Sequence, residues 1–240
     1  MIYCTERKIG IFLGPKTGSS SIIKMFKDIP VTFRKHTHLN YTLAVDAYEI
    51  PDFNTYKFFC FYRDPVSRFN SAYKYFKRHT YMSALHLFST QDQMRKASKK
   101  VRQKKFDDLL FMNKTYPRQY DWLDEETKTI LESITVEQVL GMIPTADVIP
   151  TIGKGDIALA YQKRWLDHNI DITYLNFGDF DNELRRLLTF FDATIDQIPH
   201  ENENINLDTD QPLTTEQVNL VKAAYQVDYD FFASKGITFP

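Results

Sequence analysis

The chain has 240 residues, 43% hydrophobic and 25% charged, with a formal net charge of −1. That length suits one or two domains whose core buries about 70 % of the unfolded surface without a disulfide staple or structural metal. The composition excludes a fibrous repeat, a wholly disordered chain and a membrane bundle.

The first element in chain order is the apolar run Ile9–Leu13, a strand. Gly14–Gly18 has turn chemistry, and Ser19–Phe26 follows as a helix with Ile22, Ile23 and Phe26 on its apolar side. Strand, glycine-containing loop and helix in that order form a phosphate-binding unit. Val31–Phe33 reads as a second strand. Lys57–Tyr62, KFFCFY, is a third, and a continuous apolar run of that kind suits a parallel strand covered on both faces. Pro65 stands where a helix would begin, since its missing donor is harmless at a first helical position. That helix is expected to reach about Arg78, with Phe69, Tyr73 and Phe76 inward.

The later elements are sparser. Thr135 and Gln138 can cap a short helix ending at Ile143. Ile172–Phe177 is a strand, and Asp179–Phe191 a helix with Leu184, Leu187, Leu188 and Phe191 at helical spacing. Residues 192–212 read as an ordered loop or extended segment. Thr214 and Gln217 make a second capping box, opening one last helix with Val218, Val221 and Tyr225 inward and Gly236 closing it. The sum is an α/β chain with a central, mostly parallel sheet and helices on both faces.

Charge is unevenly placed. Residues 1–120 hold 22 Lys and Arg against 9 Asp and Glu, whereas residues 121–240 hold 8 against 22. Such asymmetry can focus an anionic ligand on one half. Arg95–Lys105 alone has seven basic residues, read either as a solvated helix face or as a guide for an acidic substrate. One such run is too narrow a footprint for nucleic acid. The chain shows no apolar stretch of about 18 residues and no secretory signal, so no membrane insertion and a cytoplasmic location are expected. The two cysteines, Cys4 and Cys60, cannot form a four-ligand metal site and are expected to be reduced.

Two constellations carry chemistry. Gly14–Ser21, GPKTGSSS, differs from the nucleotide loop GxxxxGK[ST], because Lys16 precedes Gly18. It shares the physics of backbone N–H groups feeding a helix start. Hydroxyls of Thr17, Ser19, Ser20 and Ser21 add donors, and Lys16 adds charge for a leaving oxygen. The alternative is a polar helix cap after a core strand. The second is Arg63–Tyr73, RDPVSRFNSAY. Arg63 ends a buried strand, a common ligand position in open α/β sheets. Arg68 and Ser71 are i,i+3 neighbours, and an arginine fork suits a phosphate dianion. Here the alternative is an Arg–Asp pair and a helix cap.

Together these motifs resemble the sulfotransferase superfamily that uses 3′-phosphoadenosine 5′-phosphosulfate (PAPS). Pro15–Ser21 resembles the family's phosphosulfate loop, usually PKTGTTS or PKTAGTS, and Arg63, Pro65, Arg68, Ser71 and Tyr73 fill the 3′-phosphate pattern RxPxxRxxSxY. The likeness is closer to the carbohydrate-type branch with its bacterial and viral relatives. Lys35–His36–Thr37, the stretch Tyr174–Phe191, Pro199–His200–Glu201–Asn202, and Val221, Tyr225, Asp228, Tyr229 and Phe232 support it. The resemblance implies a P-loop-like three-layer fold spanning residues 1–240 as one domain, with residues 80–155 shaping the acceptor site. It implies PAPS as donor, 3′-phosphoadenosine 5′-phosphate (PAP) as product, no metal, and a hydroxyl acceptor of the saccharide class. By the same resemblance Pro15, Lys16, Thr17, Gly18, Ser19, Ser20 and Ser21 hold the phosphosulfate, Lys16 facing the bridging oxygen. Arg63, Arg68 and Ser71 serve the 3′-phosphate, and His36 is the general base, with His38 its rival. Glu49 is a further candidate base, and His200 a residue closing the nucleotide site. His79, His86 and His168 read as surface or structural. Two other classes stay open at this point: a nucleotide-dependent kinase with an atypical loop, and a non-catalytic nucleotide-binding interaction module.

Overall fold

The expected strand Lys57–Tyr62 is an interior strand of a five-stranded sheet, paired on both sides, which suits its unbroken apolar run. In the computed structural model, which describes residues 1–29, 31–33, 52–79, 135–141, 143, 157–166, 170–199 and 211–240, the strands are β1 (Ile2–Cys4), β2 (Ile9–Phe12), β3 (Thr32–Phe33), β4 (Lys57–Tyr62) and β5 (Ile172–Asn176). Their order is β3-β1-β2-β4-β5. β2, β4 and β5 pair in parallel, while β1 is antiparallel to both β2 and β3. Four strands therefore share one direction and β1 alone opposes them.

Alternation along these strands explains the two covered faces. Ile9 and Ile11, Phe59 and Phe61, and Leu175 point into one core with Ile22, Met25 and Phe26, and with Leu184, Leu187, Leu188 and Phe191. Those residues come from α1 (Ser19–Met25) with its following 3₁₀ turn Phe26–Asp28, and from α5 (Phe180–Thr189) with the residues just after it. The opposite face carries Phe12 stacked on Phe58 at 5.2 Å, Tyr62 against Phe232 at 5.4 Å and Tyr174 edge-on to Phe231 at 6.4 Å. Phe231 and Phe232 belong to α7 (Gln226–Ser234). Each fully buried phenylalanine of this set contributes about 1.5–3 kcal/mol, and the sheet is flanked by helices on both sides.

The remaining helices are α2 (Pro65–His79), α3 (Val136–Leu140), α4 (Lys163–Leu166) and α6 (Thr215–Ala224). Both expected capping boxes are formed: Thr135 with Gln138, and Thr214 with Gln217. α3 stops at Leu140, three residues short of the expected end. The last helix is two rather than one. It breaks at Tyr225 (φ −103°, ψ 20°), whose buried ring faces the Arg68 guanidinium at 5.4 Å and Tyr161 at 5.6 Å. Tertiary contact, not a Gly or Pro, sets that break. β1 was not anticipated either. It forms a hairpin with β2 through Thr5–Lys8, closed by Lys8 N–H to Thr5 O at 3.3 Å with Lys8 at φ 51°. Cys4 and Cys60 are buried and unbridged.

The chain divides into two compact units. One comprises Met1–Arg68, Tyr161–Leu207 and Thr214–Pro240, and holds the whole sheet. The other comprises Phe69–Ala160 and Asp208–Leu213, and has Phe69, Ala72, Val136, Val139 and Leu159 among its buried residues. Among the described residues no helix is long and apolar enough to cross a membrane.

Candidate functional site at the carboxyl ends of β2, β4 and β5

Three parallel strands end on the same edge of the sheet, and each hands over to a residue of interest. β2 leads into Gly14–Ser21, β4 into Arg63, and β5 into Phe177. In open α/β sheets this carboxyl edge is where ligands bind.

The loop after β2 is held by its own hydroxyls. Thr17 Oγ1 donates to Gly14 O at 2.8 Å and Ser19 Oγ donates to the same carbonyl at 2.6 Å. Those two protons are committed to closing the loop. Ser20 is the exposed member of the serine run, while Thr17 and Ser21 are buried. Lys16 takes a left-handed backbone (φ 63°), a conformation that strains a residue with a Cβ. Gly18 has φ +80°, and a Cβ there would stand 2.7 Å from the Phe180 ring and 3.1 Å from the Phe177 ring. Glycine is thus required twice, by its dihedral and by the two rings behind it. As N-cap of α1 it offers no side-chain acceptor to the helix start.

Arg63 meets this loop. Its Nη1 donates to Lys16 O at 3.2 Å and its Nε donates to Ser67 Oγ at 3.0 Å, while the guanidinium lies 4.5 Å over the Phe177 ring. These bonds leave further guanidinium N–H groups for an anion. Burial, and next the nearby Arg68 charge, bring the Arg63 pKa down to about 10. A phosphate would relieve both effects by supplying negative charge.

The backbone that carries Arg63 is braced from far along the chain. Arg63 N–H donates to Gln162 Oε1 at 2.9 Å, and Gln162 Nε2 donates back to Arg63 O at 2.6 Å. Asp64 caps α2, accepting from Ser67 N–H at 2.6 Å, and its other oxygen accepts from Tyr229 Oη at 3.3 Å. Behind them Arg68 and Asp228 are both 0% exposed, with Arg68 Nη2 and Asp228 Oδ2 3.9 Å apart. Asp228 accepts the backbone N–H groups of Gln162 and Lys163, each at 2.9 Å. Burial pushes its carboxyl above the usual range, against the opposing pull of Arg68 and these amides.

Of the sequence-derived site residues, the structure brings Lys16, Thr17, Gly18 and Ser19 together with Arg63. Pro15 is buried at the foot of the loop. Arg68 stands in the interior against Asp228 and Tyr225, where it braces the segment. Ser71 is buried on α2, in the second compact unit. His36 and His38 lie outside the described residues, as do Glu49, His86, Arg95–Lys105, His168 and His200. His79 ends α2. Two residues were not singled out from sequence. Gln162 lies in a stretch without recognisable pattern, and Phe177 reads as the last apolar residue of a strand. Comparison with protein-family models, curated proteins and solved structures finds no match.

Proposed function

We propose that this chain is a PAPS-dependent sulfotransferase of P-loop-like, three-layer architecture, acting in the cytoplasm on a hydroxyl of the saccharide class. One observation carries the reading. The Arg63 guanidinium of the RxPxxRxxSxY-like segment bonds the Lys16 carbonyl of the phosphosulfate-like loop at 3.2 Å and stacks on Phe177. Two segments 47 residues apart thus meet in one hydrogen bond, which supports a shared anion site.

The bound donor supplies an activated sulfuryl group and a phosphate leaving group. The chain's own residues do the rest. Loop residues 15–21 cradle the phosphosulfate, and the Lys16 ammonium offsets charge that builds on the departing bridging oxygen. Arg63 holds the 3′-phosphate, and Arg68 braces Arg63's segment from the interior. The base, His36 with His38 as rival, takes the acceptor's hydroxyl proton as the new S–O bond forms and the old one breaks. Positioning and charge stabilisation carry the rate, and the scheme calls for no metal.

Isothermal calorimetry with PAP and ADP tests the donor site. The wild type should prefer PAP. Arg63→Ala should lower that preference by roughly 10- to 150-fold, the range for one hydrogen bond to a charged group. Equal affinities of the wild type for both nucleotides would overturn the assignment. Transfer of radiolabelled sulfate from PAPS across a panel of saccharide acceptors tests the reaction itself.

A further inference from the structure

We infer that Gln162 is the positioning residue for Arg63, and through it for the nucleotide selectivity proposed above, on which this inference rests. The ladder of β4 closes with the pair Tyr62↔Asn176. Arg63 therefore lies one residue beyond the last strand partner, and its peptide needs another source of hydrogen bonds. One side chain takes both groups: Gln162 Oε1 accepts the Arg63 N–H at 2.9 Å, and Gln162 Nε2 donates to the Arg63 carbonyl at 2.6 Å. A primary amide offers a neutral donor and acceptor side by side in one plane. Gln162 thus extends the hydrogen bonding of β4 by one residue without a sixth strand.

The clamp is itself fixed. Gln162 is buried, and its backbone N–H goes to Asp228 Oδ2 at 2.9 Å. Asp228 also holds the next amide, Lys163 N–H. The three links Asp228, Gln162 and Arg63 run from the interior to the loop edge. An arginine has several rotatable bonds, and its head is held in one place only if its Cα is. The contacts of the head are longer, at 3.2 Å to Lys16 O and 3.0 Å to Ser67 Oγ. The backbone clamp fixes where the side chain starts, and these contacts fix where the guanidinium ends.

The test combines amide hydrogen exchange by NMR with calorimetry, using PAP and adenosine 5′-monophosphate as probes. Gln162→Met keeps length and apolar volume but lacks both bonds, and Gln162→Glu keeps the acceptor and lacks the donor. In Gln162→Met the Arg63 amide should exchange about tenfold faster while the Phe59 and Phe61 amides stay protected. The ratio of PAP to monophosphate affinity should fall about five- to tenfold, with monophosphate affinity nearly unchanged. Gln162→Glu should restore part of the Arg63 protection. If Gln162→Met does not fold, Gln162→Glu carries the comparison with a smaller loss of ratio. An unchanged ratio overturns the inference. So does an equal loss for both nucleotides accompanied by loss of protection at Phe59 and Phe61, which makes Gln162 a packing residue only. A wild type with no preference between the nucleotides overturns the sulfotransferase reading instead. Exchange at the Arg63 amide then still decides whether Gln162 positions that residue.

Discussion

The loop Gly14–Ser21 and the segment Arg63–Arg68 face the same edge of the sheet, but they are held in opposite ways. The loop closes on itself. Its two hydroxyl bonds to Gly14 O reach back three and five residues. The arginine segment is held from the distant end of the chain. Gln162 lies 99 residues from Arg63, and Tyr229 lies 165 from Asp64. Local closure depends on a few small groups and on glycine dihedrals. The distant brace depends on buried polar groups that satisfy one another, and such a set weakens as a unit when one member is removed.

The largest expected effect follows from that interdependence. Asp228→Ala leaves the Arg68 guanidinium without its carboxylate in the interior and takes the acceptor from two backbone amides. Breaking a buried pair from one side costs about 3–5 kcal/mol, a large share of a domain's usual stability of about 5–15 kcal/mol. Urea unfolding should show a much lower midpoint. A shift equivalent to less than about 1 kcal/mol would mean that the brace is not a unit. Asp228→Asn sharpens the same comparison, because it retains one acceptor and should fall between the two.

Gly18→Ala attacks the loop, with a middling effect. The new methyl meets the Phe180 ring at 2.7 Å in a backbone that disfavours any Cβ. Left-handed strain and overpacking of this kind each cost about 1–3 kcal/mol. Relief requires the rings to shift, and Phe177 is the platform under Arg63. PAP affinity should therefore drop by more than the stability loss alone explains. A variant that melts lower but binds PAP as the wild type does would separate the loop from the platform.

This contrast also explains what could be read in the amino-acid order. β2, the loop, β4, the Pro65 helix start and both capping boxes are written in neighbouring residues, and each stands where expected. The hairpin partner β1 carries no signal, because Thr5–Lys8 turns without Gly, Pro or Asn. The break at Tyr225 is equally silent, since it is produced by Arg68 and Tyr161 packing on one ring. Within the site, Lys16, Thr17, Gly18, Ser19 and Arg63 were legible from local pattern. Gln162 was not, since its two bonds to Arg63 exist only once β4 and α4 are side by side. Tyr225, Asp228 and Tyr229 were noted in the sequence only through a resemblance; the structure gives them a physical role, since Tyr225 and Asp228 face Arg68 and Tyr229 bonds Asp64.

The smallest effect isolates one strand of the brace. Tyr229→Phe removes a single 3.3 Å bond to Asp64 Oδ1 and preserves the ring's edge contact with Phe239 at 5.7 Å. The neutral-pH loss should be about 1 kcal/mol or less. Its pH dependence is more informative. Burial, and then the Asp64 charge, raise the Tyr229 phenol above its ordinary value. In the unfolded chain a tyrosine releases its proton at about pH 10. Above that pH the folded protein keeps a proton that the unfolded chain has lost. The stability contributed by Tyr229 is therefore full below about pH 10 and is lost as pH rises through the folded-state value. Phenylalanine has no proton to retain, so the stability gap between the two proteins should narrow once pH exceeds about 10. Tyr62, Tyr161 and Tyr225 are also raised, each chiefly by burial, so the variant keeps a shallower alkaline decline rather than none. Urea midpoints for both proteins from neutral pH to about 11 measure the gap directly. A gap that stays constant across that range would mean that Tyr229 is not coupled to Asp64, and that the cap of α2 stands without the terminal helix.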